Sequence, residues 1–347
     1  CHGYETAPAL EAAGRAGVPG VGVVHYSVAQ ETVHDLGCAD DPSRRRAVGA
    51  WLPLALSRAS PRRLRVPLVR VAGRAGRLAR PPLPTPLRAQ LAKLGLEARL
   101  MRGAARVVAV GRAFAGSLRR LYPDCRERVS WCFAGVTSAG APGLARAGDE
   151  RRRLLMVGRP MPQKGWEYAA EALHLLEDKK PALAERLELT VVSGLADWRG
   201  PLTGYAGNVL RRFEGLRRVR FREVAQLGAA ALAREYATAD FLLHPSVFEP
   251  FGLVLVEAMQ HGCLPLASDA DGPRDLVRPE FGWLVPFGEP RARVARLAGA
   301  LGEACGLSRA ELEGRREAAR RAAAGFSWEE CARGHLRALE EARAQGA

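Results

Sequence analysis

The stretch Phe241–Asp275 reads FLLHPSVFEPFGLVLVEAMQHGCLPLASDADGPRD, and few folds accommodate it. A short apolar run, Phe241 to Leu243, gives way to a loop containing Glu249-Pro250-Phe251-Gly252. Leu253 to Gln260 reads as a helix stopped by His261-Gly262, and Leu264 to Ala267 is a second apolar run. Strand, loop, helix, strand is the repeating unit of a parallel α/β sheet. The junction at Gly252 matters most. A helix N-terminus presents unpaired N–H groups and the positive end of a dipole, and a glycine there lets an anion approach the backbone. Glu249 in the loop and Glu257 in the second helical turn flank it. An anion site bracketed by carboxylates suits a ligand with a phosphate centre and hydroxyl-rich ends, such as a nucleotide sugar. Each carboxylate alone has a plainer reading: Glu257 as the wet face of an ordinary helix, Glu249 as an ordinary loop residue. The residues around Glu257, from Leu253 to Met259, are apolar on all sides, which predicts a buried helix. A carboxylate there needs a partner or a polar cleft.

The same alternation runs through the rest of the chain. Ala7 to Gly14 reads as a helix and Val21 to His25 as a buried strand. His25 falls at the carboxyl end of that strand, where α/β sheets place their ligands, although a lone His after a strand is commonly structural. Val107 to Val110 and Val129 to Phe133 read as strands around a helix from Gly111 to Tyr122. Ser138 to Gly148, rich in Gly and Ala, fits an interdomain linker. Beyond it lie a strand, Leu154 to Val157, the loop Gly158-Arg159-Pro160-Met161-Pro162-Gln163-Lys164-Gly165, and a helix from Trp166 to Leu176. Two cations on such a loop could grip a diphosphate, Arg159 through its planar fork and Lys164 as a point charge. Most basic loops, however, are merely solvated. Leu187 to Ser193 and Val219 to Phe221 read as strands, Ala229 to Ala239 as a helix, and Glu329 to Arg343 as a closing helix. A length of 347 residues suffices for two domains, each with its own core.

The net charge of +15 is concentrated in one segment. Between Pro42 and Arg106, 16 Arg or Lys face a single acid, Glu97, and the remainder of the chain balances. Leu64, Leu68, Val71, Ala75 and Leu78 make one helical stripe there, and Leu87, Leu91, Leu94, Ala98 and Met101 a second, separated by Pro81-Pro82-Leu83-Pro84. The block reads as a helical hairpin with a solvated basic face, or as a dock on an anionic cytoplasmic membrane surface at about 1 kcal/mol per basic residue. Nucleic acid is disfavoured, because Trp51 is the block's one aromatic residue. No stretch approaches the ~18 apolar residues of a membrane span, and the first residues lack the basic start and apolar run of a secretory segment. Seven scattered Cys, never spaced C-x-x-C, suggest neither a disulfide framework nor a zinc site. A reducing cytoplasm is the expected location, peripheral on the membrane face only if the basic block docks there and is not simply a solvated hairpin.

EPFGLVLVE with its two Glu, the following AM-x-x-G and ASDADGPRDLV, and the loop GRPMPQKG resemble the donor end of retaining glycosyltransferases of the GT-B fold. These are the glycogen-synthase-like and phosphatidylinositol-mannosyltransferase-like enzymes of glycosyl transferases group 1. VGVVHYSVAQE, and the run from ARVVAVGRAFAGSLRRLYP to VSWCFAGV, resemble that family's first domain. The resemblance implies an α/β architecture of two Rossmann-like domains facing a cleft. Residues 1–140 would form the acceptor-side domain, carrying the basic block 42–106, and 150–325 the nucleotide-sugar domain, with 326–347 a helix crossing back. It implies transfer of a hexose from a nucleotide-diphosphate sugar to a hydroxyl of a glycan, lipid or small molecule, with retention of configuration. Neither a metal nor a cofactor beyond the donor is expected.

By the same resemblance, Arg159 and Lys164 hold the diphosphate with Gly158 and the amides of Gly252 and Leu253. Glu249 and the backbone of Phe251 hold the transferred sugar, and Glu257 the ribose. The loop at Val224 meets the nucleobase, although Glu223 stands where relatives often have Gly. His25 faces the sugar from the first domain. Relatives begin with a strand and a Gly-rich loop upstream of His2, so the N-terminal domain is expected to be truncated. That departure leaves room for a chain that binds donor without turnover. A sugar-nucleotide epimerase on the same fold is a further alternative, disfavoured by the Glu pair beside the Arg–Lys loop.

Overall fold

A computed structural model describes residues 7–25, 27, 85–137, 150–194 and 203–346. They fall into two compact units, Cys1–Gly135 with Trp328–Ala347, and Val136–Ser327. The expected linker at 138–148, the first apolar stripe from Leu64 and the proline breaker lie outside the described residues.

The first unit contains α1 (Ala7–Arg15), β1 (Val21–Val24), α2 (Thr85–Gly103), β2 (Arg106–Ala109), α3 (Arg112–Leu121) and β3 (Val129–Trp131). Its strands form a parallel sheet in the order β1-β2-β3, with Val23 opposite Val108 and Val108 opposite Ser130. Val21, Val23, Val24, Val107, Val108 and Ala109 are all buried, which accounts for runs without polar alternation. The second apolar stripe becomes α2, with Leu94, Ala98 and Met101 buried. Glu97, the lone acid of the basic block, points inward and accepts from Ser27 Oγ at 2.7 Å and Tyr122 OH at 2.8 Å. It therefore satisfies the Ser27 and Tyr122 hydroxyls.

The second unit begins with β4 (Arg152–Val157), α4 (Trp166–Lys179), α5 (Pro181–Ala184), β5 (Leu187–Val192), α6 (Thr203–Glu214) and β6 (Arg220–Val224). It continues through α7 (Ala229–Thr238), β7 (Phe241–His244), α8 (Leu253–Gln260), β8 (Leu264–Ser268), α9 (Asp271–Leu276), β9 (Trp283–Val285), α10 (Arg293–Gly306) and α11 (Arg309–Ala323). All six strands are parallel, in the order β6-β5-β4-β7-β8-β9. The chain builds outward from β4 to one edge, then returns to β7 and builds to the other. That reversal opens a crevice at the carboxyl ends of β4 and β7, the place where open α/β sheets bind ligands. β7 and β8 are buried at every position, whereas the edge strand β6 is largely exposed.

Two buried carboxylates brace this unit. Glu177 on α4 accepts the backbone N–H groups of Arg217, Arg218 and Val219, fixing the turn into β6. Asp240, just before β7, pairs with the fully buried Arg316 of α11 and accepts from Arg153 N at 2.9 Å.

The last helix, α12 (Trp328–Gly346), returns to the first unit. Cys331, Ala338 and Ala342 pack there with Val21, Val108 and Cys132 in one apolar cluster. Arg106 Nε lies 3.2 Å from Glu341 Oε2 at its rim. No helix among the described residues is long and apolar enough to cross a membrane.

Candidate functional site

The two loops singled out in the sequence follow β4 and β7, so both emerge at the crevice. Gln163 O, in the first loop, accepts the N–H of Val247 in the second at 2.9 Å. Gly165 closes the first loop in the left-handed region at φ 64°, and a Cβ there would stand 2.1 Å from Pro245 O. Only glycine permits both that conformation and that approach. The second loop is held from its other side as well. Gly272 N donates to Glu249 O at 2.8 Å, and Ser268 Oγ donates to Ser246 O.

This bracing brings Lys164 onto Glu249, with Nζ 2.7 Å from Oε2. The same oxygen lies 3.1 Å from His244 Nε2, which is 3.0 Å from Ser246 Oγ. Glu249 is only 9% exposed. Burial alone would raise its carboxyl, but the Lys164 charge and the His244 contact outweigh burial and hold it at about 2. Burial pushes His244 below its ordinary value against the pull of Glu249, so the imidazole is neutral and donates from Nε2. Lys164 and Glu249, expected at different parts of a ligand, are joined directly. His244 and Ser246 join them without having been expected there. His244 ends β7 and His25 directly follows β1, so the rule that selected one selects the other.

Arg159 is exposed and has no ion-pair partner among the described residues. Gly158 directly follows β4 with φ 132°. Gly252 precedes α8 with φ 99°, and no side chain caps the helix. The expected burial of α8 on all sides does not hold. Leu253 is 46% exposed, and Val254, Glu257 and Gln260 are half-buried along the same side. A run of apolar residues cannot mark which face meets solvent, because the helix simply turns one of them outward. Glu257 on that face has the partner its setting called for, Tyr236 OH donating to Oε2 at 2.9 Å. Burial first, then the Glu257 charge, raises the Tyr236 phenol far above its ordinary value. Tyr236 also stacks on His261, with centroids 6.0 Å apart and planes 9° from parallel.

Phe251 is buried against the Phe326 ring at 6.0 Å. Val224 ends β6, and its carbonyl accepts Ser193 N at 3.0 Å. The neighbouring Glu223 accepts Ser193 Oγ at 2.7 Å. His25 belongs to the first unit, exposed directly after β1.

The parallel sheet, with the loops after β4 and β7 joined at its reversal point, has the α/β architecture of GT-B glycosyltransferase structures. Residues 151–303, within the second unit, match the family model described as Glycosyl transferases group 1. Similar chains include a D-inositol 3-phosphate glycosyltransferase of Streptomyces scabiei, 31% identical over 58% of this chain and 47% of its own length. A glycogen synthase of Deinococcus deserti is 33% identical over 55% of this chain and 39% of its own. The chain spans about half the length of the curated relatives it matches. The fold resembles sucrose-phosphate synthase of Thermosynechococcus elongatus with a TM-score of 0.59, covering 96% of this chain and 77% of that one at 22% identity.

Proposed function

We propose that the protein transfers a hexose from a nucleotide-diphosphate sugar to an acceptor hydroxyl with retention of configuration. The observation that carries this reading is the 2.7 Å contact between Lys164 and Glu249 at the reversal point of the sheet. In a nucleotide sugar the sugar carbon is bonded directly to a phosphate oxygen. A group for the sugar hydroxyls must therefore adjoin a group for the phosphates, and Glu249 and Lys164 do so.

As the bond to the diphosphate breaks, positive charge grows on the sugar and negative charge on the departing oxygens. Fixed cations and backbone N–H groups at those oxygens lower the barrier most. Arg159 and Lys164 are the cations, and the uncapped start of α8 at Gly252 and Leu253 supplies amides. With these cations facing the phosphates, the reaction requires no divalent metal. Glu249, ionised throughout the neutral range, is suited to accept hydrogen bonds from sugar hydroxyls and unsuited to donate a proton. For that reason we do not cast Glu249 and Glu257 as the acid and nucleophile of a hydrolase. Glu257, fixed by Tyr236, takes the ribose hydroxyls, and the loop at Val224 takes the base. His25 enters this scheme through the family resemblance alone.

Calorimetry with uridine, guanosine and adenosine diphosphate sugars tests the site. One of them should bind, and Lys164→Ala and Glu257→Ala should each abolish the heat. Equal affinity in wild type and both variants would sink the assignment.

A further inference from the structure

In the first unit, three potential metal ligands from two distant parts of the sequence converge. Cys132 follows β3, with its N–H donated to Ala109 O at 3.0 Å. Cys331 and His335 lie one turn apart on α12, so both project from the same face. His335 Nδ1 is 3.4 Å from Cys132 Sγ and 3.7 Å from Cys331 Sγ, and all three ligand atoms lie within 4.8 Å of one another. Metal–ligand bonds of about 2.0–2.3 Å in a tetrahedron span edges of roughly 3.4–3.8 Å, so both sulfur–nitrogen separations already equal such edges. Both thiols are free and buried, and His335 is half-buried. Gly334 allows the approach, since a Cβ there would stand 2.5 Å from Cys132 Cβ.

The geometry points to a zinc site formed by Cys132, Cys331 and His335, with water as fourth ligand. Two thiolates neutralise the charge of Zn²⁺, and the imidazole adds none, so the assembled centre is electrically neutral and tolerates burial. Thiolate with imidazole is also a donor set that selects zinc over the hard cations magnesium and calcium. His335 Nδ1 lies 2.8 Å from Cys331 O and donates to it when no metal is bound. Binding zinc requires the other tautomer, with the proton on Nε2. Cys132 and Cys331 belong to the apolar cluster that seats α12 on the sheet, so the metal would fasten the last helix of the chain to the first unit. This site lies in a different unit from the Lys164–Glu249 pair and stands or falls independently of it.

Cobalt substitution tests the proposal on the full chain, purified with its thiols reduced and metal removed. One equivalent of Co²⁺ should give a thiolate-to-cobalt charge-transfer band and the intense visible bands of tetrahedral cobalt, and Zn²⁺ should displace it. Cys132→Ser and His335→Gln should each weaken zinc at least about 100-fold, since even second-layer partners of metal ligands cost about 10–100-fold. Cys125→Ser, a buried thiol elsewhere in the same unit, should leave the spectrum unchanged. The absence of a charge-transfer band in the reduced wild type would overturn the site without reference to any variant. A band that survives Cys132→Ser, or a Cys132–Cys331 disulfide in protein isolated from zinc-supplemented cells, would overturn it equally.

Discussion

Lys164 and Glu249 neutralise each other in a crevice that neither dominates, and His244 beneath them stays uncharged. In the proposed reaction Lys164 is one of the fixed cations at the diphosphate. Lys164→Ala should therefore lower the reaction rate by on the order of 10²–10³, the usual effect of deleting one preorganised donor, measured as kcat/KM for the donor. Glu249 also links this site to acid stability. Its folded value of about 2 is depressed from an ordinary 4.5, so its contribution is full above 4.5 and is lost as pH falls through the folded value. His244, kept neutral by burial, loses its contribution from its ordinary 6.5 downward, in the same direction. Melting temperature followed from neutral to acid pH should fall less steeply in Glu249→Gln between 4.5 and 2 than in wild type. Parallel curves would show that Glu249 is not held down by Lys164. Both loops were legible in the sequence, because glycines, prolines and charges at fixed spacing are local signals. Tyr236 was not, since nothing on its own helix marks the carboxylate it binds 21 residues away.

At the scale of elements, the site depends on two loops kept in contact by backbone geometry. Gly165→Ala puts a methyl group against Pro245 O and an L-residue into left-handed backbone, which alone costs roughly 1–2 kcal/mol. Urea denaturation should show a loss at least that large, together with loss of donor binding. Retained binding in that variant would mean the loops need not touch. α11 offers an internal comparison. Ser308 forms a capping box with Glu311, and its replacement by Ala should cost about 1 kcal/mol. Arg316→Ala, which strands the buried carboxylate of Asp240, should cost about 3–5 kcal/mol. Reversal of that ranking would show that Asp240 is stabilised chiefly by Arg153 N. The apolar faces of α6, α10 and α11 are not legible in the sequence alone, because Ala, Gly and Arg blur the apolar stripe that marks α2 and α4. α11 still carried a readable signal in Ser308 and Glu311 at capping-box spacing.

At the scale of the whole molecule, the chain leaves its first unit at Gly135 and returns to it at Trp328. Deleting residues 328–347 uncovers Val21, Val108 and Cys132. Limited proteolysis should then cut the first unit early while residues 151–323 persist, and equal resistance of both units would refute that dependence. If the basic block docks on an anionic membrane, the chain should sediment with anionic vesicles at low salt and be released as salt screens the charge. Sedimentation that ignores salt would dismiss it. The parallel α/β class, the Arg159–Lys164 loop and the Glu249–Gly252–Glu257 junction are all legible in the sequence itself. Each is encoded within one strand–loop–helix unit, where periodicity and turn residues act over a few neighbours. Only the tertiary structure decided that β7 lies beside β4, bringing Lys164 to a carboxylate 85 residues away, and that α12 returns Cys331 and His335 to Cys132. Strand order and helix docking arise from which buried faces complement one another across the chain, and no local pattern records that choice.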